Sequence, residues 1–179
     1  MLQISLSGTG GQGLILAGII LAEAAIMDGK EAIQTQSYGP EARGGASKAE
    51  VIISNHAIDY PKVLNADILL VMSQEACNKY SGLVRPGGQM IVDTSLVWNM
   101  PDVAAQVIPL EITRVAKEEL GKEMVANIIA MGALVGLTGA VSLESLKAAV
   151  LARVPKGTEK LNMKALEMGF DMVKGLTKI

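Results

Sequence analysis

Cysteine, histidine and aromatic side chains are all scarce in this sequence of 179 residues. Aromatic residues make up 3% of the chain, so its core must be built from aliphatic side chains and methionine. The one cysteine, Cys77, excludes an internal disulfide framework and an iron–sulfur cluster held by this chain alone, which needs about four thiolates. We expect it to be a free buried thiol in a helix. The one histidine, His56, lacks a second ligand at metal-binding spacing, so we predict no metal site.

An excess of charge of either sign is also lacking. The formal net charge is −2, so the composition does not call for nucleic acid or an acidic membrane as a partner. No basic and apolar signal peptide opens the sequence, because residues 1–7 already have the pattern of a strand. We therefore expect a cytoplasmic protein.

One apolar stretch, residues 125–143, has nearly the length of a membrane span and carries no charge. It contains Gly132 and Gly136 at the GxxxG spacing of packed membrane helices. Asn127 interrupts it, and Gly139 is expected to end a helix early, so we predict a buried helix of a soluble domain. A partner subunit could cover the same segment instead. Because so apolar a surface should not stay bare, we expect self-association in isolation, as a homodimer.

Strand and helix patterns alternate along the chain, which predicts an α/β fold with a mainly parallel, mixed sheet. We expect one three-layer domain over residues 1–179, in which the apolar helix at 14–27 packs directly on the sheet. The strands at 31–38 and 47–54 are joined by a loop too short for a crossover helix, so they should be antiparallel or splayed apart. The stretch "RPGG" at 85–88 is predicted to be a turn. Strands are predicted at 2–7, 31–38, 47–54, 67–72, 89–93 and 107–110, and helices at 14–27, at 74–83 and from 112 onward.

Four glycines lie within six residues at the first strand–helix junction, in "GTGGQG". Gly8, Gly10 and Gly13 match G-x-G-x-x-G, the dinucleotide fingerprint of a Rossmann-like first βα turn. Free amides at the helix N-terminus, with Gly11 and Gln12 in the turn, would then hold a phosphate. The fingerprint also needs an acidic residue at the end of the second strand, where this chain has "QTQSYG", so NAD binding is disfavoured. Close packing of strand and helix through glycine explains the same residues without a ligand.

A second unusual stretch, "SYGPEARGGASK", joins the two antiparallel strands. Arg43 beside the paired glycines Gly44 and Gly45 could present a guanidinium fork and free amides to a phosphate or a carboxylate. Arg43 could equally pair with Glu41 or dock onto another subunit. We predict a binding or interface role for this loop, because a plain surface loop usually lacks this combination of residues.

Polar residues also follow the predicted strand at 89–93. Asp93 and Ser95 lie at its carboxyl end, where open α/β sheets hold their sites. The same two residues could simply cap the next turn.

Together, "GTGGQG" and "SYGPEARGG" resemble the gamma subunit of 2-oxoacid:ferredoxin oxidoreductases, a family that includes the gamma-type domain of pyruvate:ferredoxin oxidoreductase. The resemblance covers essentially the whole chain, including "DTSLV", "MVANIIAMGALVG" and "NMKALEMGF". The second loop is more similar to the 2-oxoglutarate or branched-chain type than to the indolepyruvate type.

The resemblance implies an accessory subunit of an enzyme that oxidatively decarboxylates a 2-oxoacid, with 2-oxoglutarate expected, forms an acyl-CoA and reduces ferredoxin. Such complexes use thiamine diphosphate, magnesium, iron–sulfur clusters and coenzyme A, and the expected partners are alpha, beta and delta subunits. This chain has no Gly-Asp-Gly…Asn thiamine motif and too few cysteines, so that chemistry is expected on the partners.

We therefore expect a chain that is not catalytic alone but contributes to the assembly of the complex and to the coenzyme A site. Two rival functions stay open: a stand-alone nucleotide-binding domain, and an assembly module without a ligand. The candidate contacts to coenzyme A are Gly8, Gly10, Gly11, Gln12, Gly13, Arg43, Gly44 and Gly45.

Overall fold

A six-stranded mixed sheet forms the centre of the fold in a computed structural model that describes residues 1–37 and 45–176. The strands are β1 (Leu2–Thr9), β2 (Glu31–Ser37), β3 (Ala46–Ser54), β4 (Ala66–Val71), β5 (Val84–Asp93) and β6 (Gln106–Leu110). The strand order is β2-β3-β1-β4-β5-β6. Strands β1, β4, β5 and β6 pair in parallel, whereas β3 is antiparallel to both of its neighbours.

Helices cover the two faces of the sheet unequally. The helices are α1 (Leu14–Met27), α2 (Gln74–Tyr80), α3 (Ile112–Leu120), α4 (Ala126–Thr138), α5 (Leu143–Arg153) and α6 (Glu159–Met172). Five of them share one large aliphatic core with the first face, where α1 packs directly on β2 and β3 and α4 packs mainly on α6. The short α2 covers the second face with the segment that follows β5, around Cys77 and Val97. The predicted α/β fold with a mixed sheet is confirmed.

The apolar stretch at 125–143 is a buried helix, α4, which lies against α6 along a seam of glycines. A Cβ atom on Gly132 would lie 2.2 Å from the carbonyl oxygen of Leu166, and one on Gly169 would lie 2.0 Å from that of Ile129. The GxxxG spacing therefore brings two helices of this chain together. Among the residues that the structure describes, no helix combines the length and the apolar character needed to cross a membrane. Because α6 covers this helix, it gives no support to the predicted homodimer.

The stretch "RPGG" is not a turn between elements but an irregularity inside β5. Ala66 pairs with Val84, and the next pair along the two strands is Ile68 with Gln89, so the residues between bulge out of register. Gly87, with φ 74°, lies in the left-handed region that the bulge requires. The sequence pattern identified the unusual backbone correctly but began the strand too late, at residue 89 and not at Val84.

Asp28, directly after α1, holds the start of α5. Its carboxylate accepts hydrogen bonds from the backbone N–H of Ser142 at 2.6 Å and from the hydroxyl of Ser145 at 2.6 Å. Partial burial alone would raise the pKa of Asp28, but the bonds from Ser145 and Ser142 and the nearby Lys30 hold it below the ordinary value of 3.8. This carboxylate therefore stabilises the fold in its charged form.

Candidate functional site

The turn between β1 and α1 has a backbone that only glycine adopts easily. Gly11 and Gly13 have φ angles of 93° and 73°, both in the left-handed region. Gly13 is also the N-cap of α1, and its carbonyl oxygen accepts the first helical hydrogen bond, from Ala17 at 3.0 Å. The amides of the first helical turn have no acceptor within the helix, and the positive end of the helix dipole lies behind them. The turn can therefore receive an anion.

Gln12 holds this turn in place with its own side chain. Its Oε1 accepts a hydrogen bond from the N–H of Thr9 at 2.7 Å, while its Nε2 donates to the carbonyl of Met72, directly after β4, at 2.8 Å. The amide lies so close to β1 that a Cβ on Gly8 would come within 2.2 Å of Gln12 Oε1. We predicted Gln12 as a ligand contact, but both ends of its amide are used to join the turn to the sheet.

Asn127, at the start of α4, supports the turn from the other side. It is 5% exposed, and its Nδ2 donates to the carbonyl oxygen of Gly13 at 3.1 Å. A Cβ on Gly13 would lie 2.5 Å from this nitrogen, so the contact needs glycine for space as well as for conformation. We did not predict this residue as part of the site. The signal for it was a lone amide near the start of an otherwise apolar stretch.

A cleft of about 500 Å³, here called the first cleft, opens between the glycine turn and the strands β2 and β3. Its apolar wall comes from buried and half-buried side chains of α1, and the side chains that line it in the described ranges carry no charge. The lining residues are Thr9, Gly10, Gly11, Gly13, Leu14, Ile15, Leu16, Ile19, Ser37, Ala46 and Ser47.

The described residues that flank Arg43 in the sequence lie at this cleft. Arg43 and Gly44 lie outside the described residues, whereas Gly45 forms a bend immediately before β3. The last residue of β2, Ser37, and the first of β3, Ala46, both line the first cleft. The described residues on both sides of Arg43 in the sequence therefore border the first cleft.

A second cleft of about 370 Å³ lies on the other side of the glycine turn, between α1, α3 and α4. The two clefts share Gly11, Gly13 and Leu16. The second cleft is lined by Gly11, Gln12, Gly13, Leu16, Met72, Thr113, Glu123, Met124, Ala126 and Asn127.

The strand order argues against a dinucleotide site of the Rossmann type. In that fold the strand whose acidic residue binds the ribose is the parallel neighbour of the first strand. Here β3 lies between β1 and β2, so β2 is about 10 Å from β1 and not about 5 Å. The strand order and the missing acidic residue at the end of β2 both disfavour NAD.

Asp93 and Ser95 have structural roles at the carboxyl edge of the sheet. The buried carboxylate of Asp93 accepts hydrogen bonds from the backbone and the hydroxyl of Thr113 and from the N–H of Ser95. Ser95 Oγ in turn accepts from the N–H of Arg114 at 3.0 Å. Both residues therefore cap the start of α3 and the turn before it. Of the two roles considered from the sequence, a functional site or a turn cap, the structure shows the turn cap.

Cys77 is fully buried in α2, and burial raises the pKa of its thiol. Because a thiol with a raised pKa is a poor nucleophile and a poor metal ligand, its environment indicates packing.

Comparisons with known proteins agree over nearly the whole chain. The sequence matches the family model described as pyruvate ferredoxin/flavodoxin oxidoreductase over residues 3–172. It is 52% identical to the 2-oxoglutarate synthase subunit KorC of Methanocaldococcus jannaschii, over 97% of this chain and 95% of that one.

Two solved structures share the fold, each with a TM-score of 0.88. One is the gamma subunit of a keto/oxoacid ferredoxin oxidoreductase from Geobacter sulfurreducens, 53% identical over 96% of this chain and 98% of that one. The other is the 2-oxoglutarate:ferredoxin oxidoreductase of Magnetococcus marinus with 2-oxoglutarate, coenzyme A and succinyl-CoA bound. There the likeness covers 99% of this chain but 32% of the longer one, and at 24% identity it shows the fold alone.

Proposed function

The chain belongs to the pyruvate ferredoxin/flavodoxin oxidoreductase family, and from this premise we propose that it is the gamma subunit of a 2-oxoglutarate:ferredoxin oxidoreductase complex. The observation that carries the proposal is the 52% identity to a 2-oxoglutarate synthase subunit of nearly equal length. The complex would release carbon dioxide from 2-oxoglutarate, join the remaining acyl group to coenzyme A as succinyl-CoA, and pass the electron pair to ferredoxin.

The redox chemistry of that reaction is assigned here to partner subunits. The sequence has one cysteine, and it is buried on the inner side of α2. Within residues 1–37 and 45–176, no three metal-ligating side chains lie close enough to hold an ion. Thiamine diphosphate, magnesium and iron–sulfur clusters therefore belong on the alpha, beta and delta subunits in this proposal.

This chain's own contribution is to bind the phosphates of coenzyme A. The glycine turn offers backbone amides at a helix N-terminus, an arrangement that suits a pyrophosphate. The first cleft has no cation among its described lining residues, so a ligand with several phosphates needs one from elsewhere. Arg43 is the candidate, because Ser37 and Ala46, the ends of the two strands that precede and follow it in the sequence, line that cleft. A hydrogen bond between charged groups contributes about 1.5–3 kcal/mol.

Co-purification tests the subunit assignment. The chain is expressed with a tag together with its genomic neighbours, and the purified material is analysed by native mass spectrometry and visible absorption. We expect a stoichiometric complex with a thiamine-binding chain and a cysteine-rich chain, which is brown from its clusters. A tagged chain that leaves the column alone, while the neighbouring chains assemble without it, would contradict the assignment.

Substitution of Arg43 tests the coenzyme A role separately. In the assembled complex, Arg43→Ala should raise the apparent KM for coenzyme A about tenfold or more, with little change in the KM for 2-oxoglutarate. The matched control is Arg114→Ala, which removes an exposed arginine paired with Glu111 and Glu118 on α3. An unchanged KM for coenzyme A, or loss of assembly, would assign the loop to a turn or to an interface.

A further inference from the structure

The lone tryptophan of the chain, Trp98, is exposed at the carboxyl edge of the sheet. It lies in the segment that follows β5 and is 82% exposed. An indole buries about 150–250 Å² when a protein covers it, so an indole left in water forgoes a large apolar contact. Met100, two residues later, is 41% exposed. The segment therefore presents two large apolar side chains that the fold itself leaves exposed.

Hydrogen bonds from the buried side chain of Gln74, the first residue of α2, hold Trp98 in this position. Gln74 Oε1 accepts from the N–H of Trp98 at 3.0 Å and from that of Asn99 at 2.9 Å. Its Nε2 donates to the carbonyl of Asn99 at 2.8 Å. Directly before the indole, Val97 is 3% exposed and packs into the core on the second face of the sheet. The backbone on both sides of Trp98 is thus fixed, and a segment ordered in advance loses less entropy on binding.

The exposed charges nearest along the chain to this segment and to its hydrogen-bonding partner are acidic. Glu75 lies in the first turn of α2, and Asp102 lies in the segment itself. Neither carboxylate forms a salt bridge with another described residue. The described cations that lie over an aromatic ring, Lys48 and Lys79, do so at Tyr80. The carboxylates and the indole face both favour a positively charged group on whatever covers them.

We infer that Trp98 is the anchor of an interface with a partner subunit of the complex, an inference that rests on the proposed function. The partner surface is an apolar pocket for the indole and Met100, bordered by arginine or lysine side chains that pair with Glu75 and Asp102. Tryptophan is among the residues that most often contribute the largest share of binding energy in protein interfaces. A second copy of this chain does not fit, because a two-fold contact at this patch would bring its carboxylates against their own copies.

The proposed interface lies at the same edge of the sheet as the glycine turn. Met72, whose carbonyl accepts the hydrogen bond from Gln12 of that turn, is two residues before Gln74. A subunit bound at Trp98 would therefore be held at the edge of the sheet that carries the glycine turn.

Because the sequence has one tryptophan, a fluorinated tryptophan introduced into this chain gives a single fluorine NMR signal from this position. The labelled chain is measured alone and after assembly with unlabelled partner subunits. We expect the signal to shift on assembly and to become insensitive to the exchange of ordinary for heavy water, because the partner covers the indole. An unchanged and still solvent-sensitive signal in the intact complex would overturn the inference. A shift when the isolated chain is merely concentrated would also overturn it, because a second copy would then be the occupant.

Substitutions measure how strongly this chain binds to the complex that lacks it. Trp98→Ala should raise the dissociation constant about thirtyfold or more, as expected for a residue that dominates an interface. Asp102→Lys should raise it about fivefold, through slower association. The matched controls are Leu64→Ala, at a residue 61% exposed before β4, and Asp171→Lys, at an exposed residue of α6. Both controls should stay within about twofold of the parent.

The fold should tolerate these changes, because each replaces an exposed side chain, and an unchanged Tm checks this. A dissociation constant that is unchanged in Trp98→Ala, or binding that becomes tighter in Asp102→Lys, would overturn the inference. Failure of the proposed function is distinguishable from these outcomes. It would leave even the unmodified chain without a complex and would overturn both proposals.

Discussion

Replacing the two left-handed glycines of the turn, one at a time, separates the backbone requirement from the contact with α4. Gly11 and Gly13 both have positive φ angles, of 93° and 73°. A Cβ on Gly11 would meet nothing within 4 Å, whereas a Cβ on Gly13 would lie 2.5 Å from Asn127 Nδ2. Gly11→Ala therefore measures strain alone, and Gly13→Ala measures strain together with the loss of the Asn127 contact.

The expected magnitudes follow from these geometries. A left-handed conformation costs an alanine about 1–2 kcal/mol, which applies to both variants. In Gly13→Ala, Asn127 must also move away from the carbonyl it bonds, which costs about 1 kcal/mol more. For a chain of this length 1 kcal/mol lowers Tm by about 2–4 °C, so Gly13→Ala should melt about 2–4 °C below Gly11→Ala.

Thermal and urea unfolding of both variants provide the measurement, and Asn127→Ala supplies the control background. Without the Asn127 side chain, the penalty of Gly13→Ala should fall to that of Gly11→Ala. The reasoning is refuted if Gly11→Ala destabilises as much as Gly13→Ala, or if the penalty at Gly13 is the same in both backgrounds.

Three further substitutions test the supports around the site. Gly132→Ala should lower the free energy of unfolding in urea by about 3 kcal/mol or more, because its Cβ would lie 2.2 Å from a carbonyl oxygen of α6. The control is Gly82→Ala, whose Cβ would meet nothing within 4 Å and which should be nearly neutral. Asp28→Asn should cost about 1 kcal/mol at pH 7. The pKa of Asp28 is lowered in the folded state, so its carboxylate stabilises the fold above about pH 4. This stabilisation is lost as the pH falls through the folded-state pKa. The difference in unfolding free energy between variant and parent should therefore shrink in acid. Gln12→Glu keeps the acceptor for the N–H of Thr9 but loses the donor to the carbonyl of Met72, so it should lower Tm. A Tm equal to that of the parent would show that the bond to Met72 contributes nothing.

The sequence alone predicted the fold well because local patterns and global topology agree. The short loop between β2 and β3 indicated the antiparallel pair, and Gly139 marked the end of a helix that the structure shows there. The family resemblance, read from the two glycine-rich stretches, is also confirmed. The prediction of a turn at residues 85–88 was wrong. Strand pairing continues across this local turn conformation, because β4 provides partners on both sides of the bulge.

The site was harder to predict because its parts come from distant positions. Asn127 reaches a carbonyl 114 residues earlier in the chain, and no pattern in one sequence shows that pairing. Gln12 was identified as part of the turn, but its role could not be read from the sequence. The partners of its amide, Thr9 and Met72, became visible only in the fold. The contacts of Arg43 with a ligand stay a prediction.

The most direct test of the central claim is the omission of this chain from the reconstituted complex. Ferredoxin reduction is measured with 2-oxoglutarate and coenzyme A, once with all subunits and once without this chain. The account predicts that activity requires this chain, that 2-oxoglutarate supports it better than pyruvate, and that adding the purified chain back restores it. Equal activity without the chain, or a complex that prefers pyruvate, would contradict the claim.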